Sequence, residues 1–420
     1  MKKFIGVLLL GVAFASPTIL QVKNKNIIVN GQATTVITIE QPDGTWGYLG
    51  KSNESFDVIV QNKLNESTII HWHGLGLPNN QDGTELTQVV IPESSEYSYK
   101  FQLHNTGTFW MHSHQGLQLA ELASAPLIIE SADDAKYQQV VVLFQDFSFE
   151  SSTSILHNLK NMDMSDMDMS GHDMSGMDLN DVSYDAYLTN YHSPESPQIT
   201  YTKPQAQVKL RFINASSSSG YWIDLGKLKG TAVAVDGHSI KPLSGSVFQL
   251  TEAQRMDILI TIPQKGGTYP ILGRVEGTNQ QTGIILTTDT SLQHSIIKTS
   301  TAFDAKALSY AQELKLKAIT PILPAKIDQV IKYTLSGSMS PYEWKINNQS
   351  WPNVTPAIIK LGSVVELDFI NNSDMAHPMH LHGYFFQVVE IDGKKINGAV
   401  RDTILVLPHS TVKVVFNRVA

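Results

Sequence analysis

The chain has no cysteine among its 420 residues, so its own side chains can form neither a disulfide nor a thiolate–metal bond. It has no run of lysine and arginine, and its net charge is -8, which argues against a nucleic-acid partner. After the first residues, no apolar stretch is long enough to span a bilayer. Long amphipathic helical patterns are scarce, and the best of them covers residues 302–314.

Residues 1–15 have the organisation of a secretory signal peptide. Lys2 and Lys3 form a short positive region, residues 4–14 are apolar, and Ala13-Phe14-Ala15 has the small-x-small pattern of a cleavage site. The alternative is a membrane anchor, but the apolar stretch is short for that role. We therefore predict cleavage before Ser16 and export to the periplasm as a monomer without membrane attachment.

The rest of the chain has an all-β pattern. Apolar residues alternate in residues 56–60, as in a half-buried strand, and Asp-Gly pairs such as Asp82-Gly83 indicate turns between such runs. Similar runs occupy residues 35–40, 138–144, 208–213, 256–262, 364–370 and 411–416. Many short strands at this spacing predict β-sandwiches or barrels in series.

A methionine-rich segment interrupts the β pattern at residues 161–181. Six of the 12 methionines lie between positions 162 and 177, interleaved with Asp, Ser and Gly, which predicts a loop rather than a packed element. Pro321 and Pro324 mark a second change in the sequence pattern, where we place a domain boundary. We expect a first domain over residues 16–150, a methionine-rich loop over 151–182, a second domain over 183–305 and a third over 306–420.

Half of the 14 histidines fall in three clusters. Residues two apart point to the same face of a strand, so each His-x-His pair presents two imidazoles side by side. Imidazole suits Cu, Zn, Fe and Ni. Burying all of these rings without a metal would require many matched hydrogen-bond partners, which favours a metal site. The clusters are His71-Trp72-His73-Gly74, His112-Ser113-His114 and His377-Pro378-Met379-His380-Leu381-His382-Gly383.

The motifs HWHG, WMHSH and HPMHLHG, in this order, resemble the copper motifs of multicopper oxidases, the family of laccases and bacterial cuprous oxidases. The resemblance implies three consecutive cupredoxin-like Greek-key β-sandwich domains. It also implies copper in type 1, type 2 and binuclear type 3 centres. The ligands that it implies are His71 and His380 for type 2, His73, His112, His114 and His382 for type 3, and His377 for type 1.

Asp82 matches an acidic residue that supplies protons for O2 reduction in related oxidases. A carboxylate near the copper cluster is useful because the reduction of O2 to water consumes protons. The alternative is an ordinary turn aspartate in the Asp82-Gly83 pair.

The final motif of the family, HCHxxxHxxxxM, is not found in the chain. That motif carries the type 1 cysteine and the remaining type 3 histidines. Either the sequence is partial, or the protein has lost its type 1 copper. The strand at residues 411–416 favours the first explanation, because a chain ending at Ala420 leaves a sandwich edge uncovered. We expect an incomplete third domain and no full catalytic cycle from this chain alone.

Thioether sulfur is a soft ligand that prefers Cu(I), so we predict Cu(I) capture by the methionine-rich loop, a passive linker being the alternative. The predicted capture residues are Met162, Met164, Met167, Met169, His172, Met174, Met177 and Met375, with Asp374 beside the last.

The resemblance implies an oxidase that couples the oxidation of Cu(I), and of phenolic substrates, to the reduction of O2 in copper tolerance. The alternatives are a copper-sequestering protein without turnover and a copper-free relative of the fold. The intact histidines argue against a copper-free relative.

Overall fold

A computed structural model describes residues 16–161, 179, 182–291, 295–300, 305–322 and 326–417. The predicted signal peptide lies outside these ranges. The helices within them are α1 (Ser152–Asn161) and α2 (Tyr310–Glu313), with 3-10 turns at Asn79–Gln81 and Ala132–Lys136. None of these helices is long and apolar enough to cross a membrane.

Both helices differ from the sequence expectation. Helix α1 occupies residues that the sequence pattern assigned to the loop. Helix α2 is a single turn within the described part of residues 302–314, and Ser309 accepts a hydrogen bond from the backbone N–H of Ala311 at its start. It ends early because the following residues pair with a neighbouring strand, where Ala318 forms a bridge with Ile240. Tertiary pairing here outweighs local helical periodicity.

The first sandwich has eight strands. They are β1 (Thr18–Val29), β2 (Gln32–Glu40), β3 (Tyr48–Lys51), β4 (Ser55–Asn62), β5 (Ile70–His73), β6 (Glu96–Gln102), β7 (Gly107–Ser113) and β8 (Ser124–Glu130). One sheet has the order β2-β1-β4-β6 and the other β3-β8-β7-β5. Trp72 of β5 is fully buried in the core against Phe56 and Tyr99. Because side chains alternate along a strand, the same alternation turns His71 and His73 to the opposite face.

The structure describes eleven strands in the second sandwich. They are β9 (Gln138–Phe147), β10 (Ala186–Thr189), β11 (Ile199–Tyr201), β12 (Gln207–Asn214), β13 (Tyr221–Asp224), β14 (Gly230–Val235), β15 (His238–Gly245), β16 (Val247–Leu250), β17 (Arg255–Thr261), β18 (Thr268–Val275) and β19 (Gln281–Thr287). A six-stranded sheet has the order β10-β9-β12-β17-β14-β15, and a five-stranded sheet has the order β11-β19-β18-β13-β16. Strand β17 begins at Arg255, which is fully buried and points toward the other two sandwiches.

The third sandwich has nine strands within the described residues. They are β20 (Gln329–Met339), β21 (Tyr342–Ile346), β22 (Val364–Asn371), β23 (His377–His380), β24 (Phe386–Ile391), β25 (Lys394–Lys395), β26 (Val400–Arg401), β27 (Thr403–Val406) and β28 (Thr411–Asn417). The main sheet has the order β21-β20-β22-β28-β24-β25, with β26 on β24. The second layer is the pair β23-β27, which packs on the main sheet through Ile404 and Val406.

Polar contacts hold the three sandwiches together. Arg211 of β12 pairs with Asp134 and Asp257 and donates to Thr108 of the first sandwich. Tyr310 of α2, in the segment between the second and third sandwiches, is bonded to Ser410 at 2.6 Å. The three sandwiches meet where β5, β17 and β27 approach one another, and the histidine clusters lie at this junction.

Candidate metal centre

Four of the predicted histidines come from two paired strands of the first sandwich. Strands β5 and β7 are antiparallel, and their register sets His71 opposite His112, with His114 just beyond β7. The ring centroids of His71 lie 5.4 Å from His112 and 5.1 Å from His114. The pairing of two His-x-His strands therefore gathers four imidazoles on one face.

The third sandwich adds two further imidazoles to the same cluster. His380 stacks on His73 with ring centroids 3.7 Å apart, and the ring of His382 lies 4.1 Å from that of His71. Strand β23 holds His380 in place by pairing it with Thr403 of β27. Six of the seven predicted histidines are thus brought together across the junction of the first and third sandwiches.

Each of four rings directs its Nδ1 atom outward, to an oxygen acceptor. The acceptor is the carbonyl oxygen of Asp82 for His71 at 2.7 Å, of Ser113 for His112 at 3.2 Å and of Asp402 for His380 at 2.8 Å, and the carboxylate of Asp82 for His382 at 2.9 Å. A carbonyl or ionised carboxylate oxygen can only accept, so Nδ1 carries the hydrogen in the neutral form of each ring. Their lone pairs are therefore on Nε2.

His73 is oriented the other way round. Its Nε2 lies 3.2 Å from Oδ1 of Asp402, and its Nδ1 lies 3.4 Å from Nε2 of His112. Because Nε2 of His73 donates to Asp402, the lone pair of His73 is on Nδ1. Neither nitrogen of the His73–His112 contact carries a hydrogen, so two lone pairs meet there. That arrangement suits a shared metal ion.

Two buried imidazole nitrogens lack a hydrogen-bond partner in the part of the chain that the structure describes. They are Nε2 of His71 and Nε2 of His380. Leaving a buried polar atom unpaired costs about 1–3 kcal/mol, which a metal bond would offset. The donor set, all imidazole nitrogen, fits copper. The residues therefore fit a copper ion or ions at this site.

Burial keeps the imidazoles neutral. It lowers the pKa of His71 to about 4, with the neighbouring His382 adding to the effect. Burial likewise holds the pKa values of His73 and His112 well below the usual range. Neutral imidazole is the form that binds a metal, so at pH 7 these three rings present lone pairs rather than positive charge.

Asp82 lies at the edge of the cluster, between the rings of His71 and His382. Burial opposes its ionisation, but the hydrogen bonds from His382 and His71 outweigh burial and hold the pKa of Asp82 well below its ordinary value. The same residue lines a cleft of about 1770 Å³ together with His114 and His382. Asp82 thus contacts both the histidines and a route to solvent.

Asp402 and Arg255 belong to the site but were not predicted from the sequence. Asp402 contacts His73 and His380, and the fully buried Arg255 forms a two-point ion pair with it. Burial opposes ionisation of Asp402, but attraction to Arg255 outweighs it and holds the pKa of Asp402 well below its usual range. A signal was present in the sequence, because residues 400–404 place Arg-Asp inside an apolar run, where charges must be paired.

His377 lies apart from the cluster, as its odd offset from His380 indicates. Its Nε2 is 2.8 Å from the hydroxyl of Ser373, and its ring centroid is 5.0 Å from that of Trp344. Met375 is half-buried nearby, with its carbonyl oxygen bonded to the side chain of Asn371. Asp374 is on the surface in an ion pair with His409 at 2.7 Å.

The other predicted Cu(I)-capture residues lie outside the described residues. They are Met162, Met164, Met167, Met169, His172, Met174 and Met177.

Comparison with known proteins agrees with the geometry. Three sequence profiles, each described as multicopper oxidase, match residues 21–134, 150–296 and 324–419. The multicopper oxidase MmcO of Mycobacterium tuberculosis is 27% identical over 382 residues, which cover 85% of this chain and 73% of the relative. Copper resistance protein A of Escherichia coli is 24% identical over 497 residues, covering 86% and 81%.

Solved structures show the same fold. Fet3p, a multicopper oxidase that functions in iron import, superimposes with a TM-score of 0.78 at 18% identity, covering 95% of this chain and 84% of that one. A multicopper oxidase from Campylobacter jejuni gives a TM-score of 0.69 at 20% identity, covering 96% and 85%. With three matching profiles along its length and a histidine cluster suited to copper, this chain belongs to the multicopper oxidase family.

Proposed function

We propose that the six clustered histidines hold the copper ions at which O2 is reduced. His71 and His380 are the type 2 ligands, and His73, His112, His114 and His382 are type 3 ligands. The observation that carries this assignment is the pair of buried, unpartnered Nε2 atoms on His71 and His380. These are the two rings that the assignment places on one ion.

Copper bound at this site would supply the electrons that reduce O2 to water. The chain's own residues do the preparatory work. The outward hydrogen bonds of His71, His112 and His380 fix each ring so that Nε2 faces the cluster. Burial excludes water and keeps the rings neutral.

Asp82 is the proposed proton carrier. Its carboxylate receives a hydrogen bond from Nδ1 of His382 and borders the cleft. An ionised carboxylate in this position can take a proton from solvent and release it toward the cluster.

Electrons enter, in this proposal, at a type 1 copper for which His377 is one ligand. Its separation from the six-histidine cluster supports a distinct centre. None of the 420 residues is a cysteine, so the thiolate of a type 1 copper is not among them. We propose Cu(I) as the electron donor, with phenols as further substrates. Copper resistance protein A and several laccases are among the relatives, which supports both classes.

The proposed setting is the periplasm, reached through a signal peptide at residues 1–15, and the proposed role is copper tolerance. Oxidation of Cu(I) to Cu(II) by O2 suits that role, since four Cu(I) ions give up the four electrons that, with four protons, convert O2 to two waters. The methionine-rich segment is proposed to collect Cu(I) for this reaction, because thioether sulfur prefers that ion.

The test is O2 consumption, with Cu(I) as the reductant, by the native exported protein isolated with its copper and with any residues beyond those of this sequence. We expect consumption in a ratio of one O2 to four Cu(I), and loss of activity in His71→Gln. A matched control is His192→Gln, because His192 is exposed and remote from the cluster. Copper binding without O2 consumption would instead establish sequestration, and full activity in His71→Gln would refute the ligand assignment.

A further inference from the structure

Asp402 is the one carboxylate in the described residues that contacts histidines from two different sandwiches without lining the cleft. Its Oδ1 lies 3.2 Å from Nε2 of His73 in the first sandwich and 3.5 Å from Nδ1 of His380 in the third. Its carbonyl oxygen accepts from the same Nδ1 of His380 at 2.8 Å. Asp402 therefore links these two rings, which stack 3.7 Å apart, together with the hydroxyl of Thr403, which lies 3.2 Å from the same two nitrogens.

The contact with His73 also decides which nitrogen that ring offers. The other group at Nε2 of His73 is the hydroxyl of Thr403 at 3.2 Å, which can donate as well as accept and so does not by itself decide which nitrogen of a neutral His73 carries the hydrogen. With Asp402 at Nε2, the hydrogen stays there and the lone pair of Nδ1 faces His112. Thr403 supports the arrangement, because its hydroxyl donates to Oδ1 of Asp402 at 2.9 Å.

Asp402 is itself held by the middle sandwich, which contributes no histidine to the cluster. Nη1 of Arg255 donates to Asp402 at 2.7 Å, and Nη2 of Arg255 donates to the second carboxylate oxygen. Nε of Arg255 donates to the carbonyl oxygen of Thr108 in the first sandwich at 3.2 Å. Asp236 forms an ion pair with Arg255 and a second ion pair with Arg401. Arg255 thus ties one residue of each sandwich to a single guanidinium.

We propose that Asp402 is a positioning residue for the copper cluster. Arg255 of the middle sandwich holds Asp402 in place, so the packing of the middle sandwich against the other two determines the orientation of His73 and His380. This inference rests on the proposed copper site. It assigns the middle sandwich a part in the chemistry, since the sandwich orients ligands that it does not itself provide.

The molecule offers a matched control for a purely structural role. Asp257 is also buried, pairs with the buried Arg211 at 3.1 Å and accepts from Thr108 of the first sandwich at 2.5 Å. Asp257 has no contact with a histidine among those resolved in the described ranges. Asp257→Asn and Asp402→Asn therefore make the same chemical change in two interdomain ion pairs, only one of which touches the cluster.

The experiment measures Cu(II) affinity of the copper-free protein by competition with a chelator, and the tautomer of His73 from the 15N shifts of its ring nitrogens. We expect both variants to lose thermal stability. Asp402→Asn should bind Cu(II) about 10–100-fold more weakly than wild type. The asparagine has only one amide oxygen, so when that oxygen accepts from Arg255 the NH2 group faces Nε2 of His73, and the single Nε2–H tautomer of His73 should be lost. Asp257→Asn should match wild type in both measurements.

Arg255→Lys keeps the test decisive if Asp402→Asn does not fold. Lysine retains the positive charge but not the two-point grip of the guanidinium, so the same changes should appear at smaller size. Equal Cu(II) affinity in Asp402→Asn and Asp257→Asn, with His73 unchanged, would overturn the positioning role. Failure of wild type to bind Cu(II) is a separate outcome, which would overturn the proposed copper site and this inference with it.

Discussion

The outward-facing nitrogen of each histidine determines what the ring can offer to copper. Five rings have this nitrogen fixed by an oxygen of Asp82, Ser113 or Asp402. Such contacts fix the tautomer and the ring plane, and their loss typically weakens metal binding. The two aspartates also divide the cluster, because Asp82 serves the side that opens to the cleft and Asp402 the buried side.

The side-chain role of Asp82 can be separated from its structural role by Asp82→Asn. The amide oxygen can still accept from His382, but the group can no longer carry a proton at neutral pH. We expect unchanged copper content and about a 100-fold slower reoxidation by O2 of the chemically reduced, copper-loaded protein. The rate is measured by stopped-flow absorbance.

Glu85→Gln is the control for that experiment, because Glu85 lines the same cleft. Its reoxidation rate should equal that of wild type. A reoxidation rate for Asp82→Asn within twofold of wild type would show that Asp82 does not carry protons to the cluster and only orients the histidines.

At the scale of the strand, β5 shows how a short motif builds a site. Trp72 anchors the strand in the apolar core, and the two flanking histidines must then point to the interdomain face. The strand ends at His73 and is followed by Gly74, whose φ of +89° lies in the left-handed region. A Cβ atom at Gly74 would collide with Arg255 and contact Asp402 at 2.7 Å. The glycine after the His-x-His pair is therefore required by the ion pair behind the cluster.

Gly74→Ala should therefore destabilise the protein both by backbone strain and by a collision with Arg255 and Asp402. Gly31 is a matched control, with a φ of +79° and open space around its Cβ position. Gly31→Ala should cost only the backbone strain, about 1 kcal/mol, whereas Gly74→Ala should cost at least about 3 kcal/mol by adding a buried collision. Urea unfolding measures both. Equal losses of unfolding free energy in the two variants would show that Arg255 and Asp402 can move away from the added Cβ atom without destabilising the protein.

The β pattern was predictable where alternation or turn residues were strong. The run at residues 56–60 lies within β4, and those at 208–213 and 411–416 lie within β12 and β28. Short helices were not predictable, since α1 buries only Leu159 and α2 is cut off by the pairing of Ala318. Local pattern is a poor guide wherever a contact distant in sequence decides the outcome.

The histidines were visible in the sequence because their spacing has a geometric meaning within a single strand. Arg255 and Asp402 were not, because 147 residues separate them and neither belongs to a short motif. Their partnership exists only once the second and third sandwiches are docked. The ligands of this site were therefore predictable from local periodicity, and the groups that orient them were not.

Over the whole molecule, bound copper should act as a clamp: it should stabilise the packing of the first sandwich against the third, because His71 and His380 lie on different sandwiches. A ligand that binds only the folded state stabilises it by about 2.7 kcal/mol when its concentration is 100 times Kd. We expect chelation to lower the Tm of the loaded protein, and added Cu(II) to restore it. In a variant with His71→Gln and His380→Gln together, an undiminished Tm response to copper would contradict the clamp.

The segment between the second and third sandwiches gives the molecule a further sensitivity, this time to pH. Glu276, just after β18, accepts a hydrogen bond from the backbone N–H of Leu308 at 2.6 Å. Burial raises the pKa of Glu276 to about 8, against that hydrogen bond and with a further contribution from Glu252. Between pH 4.5 and 8 the folded state therefore keeps a proton that the unfolded state releases.

Stability linked to Glu276 is thus fully present below about pH 4.5 and is lost as the pH rises toward 8. We expect a loss on the order of 2 kcal/mol across this window, allowing for the partial exposure of the side chain. In Glu276→Gln the side chain stays neutral, so the free energy of unfolding relative to wild type should shift in favour of the variant as the pH rises. Comparison at each pH cancels the other titrating groups. Glu195→Gln, an exposed site, should show no such shift, and a pH-independent difference for Glu276→Gln would mean that its carboxyl group ionises normally in the folded protein.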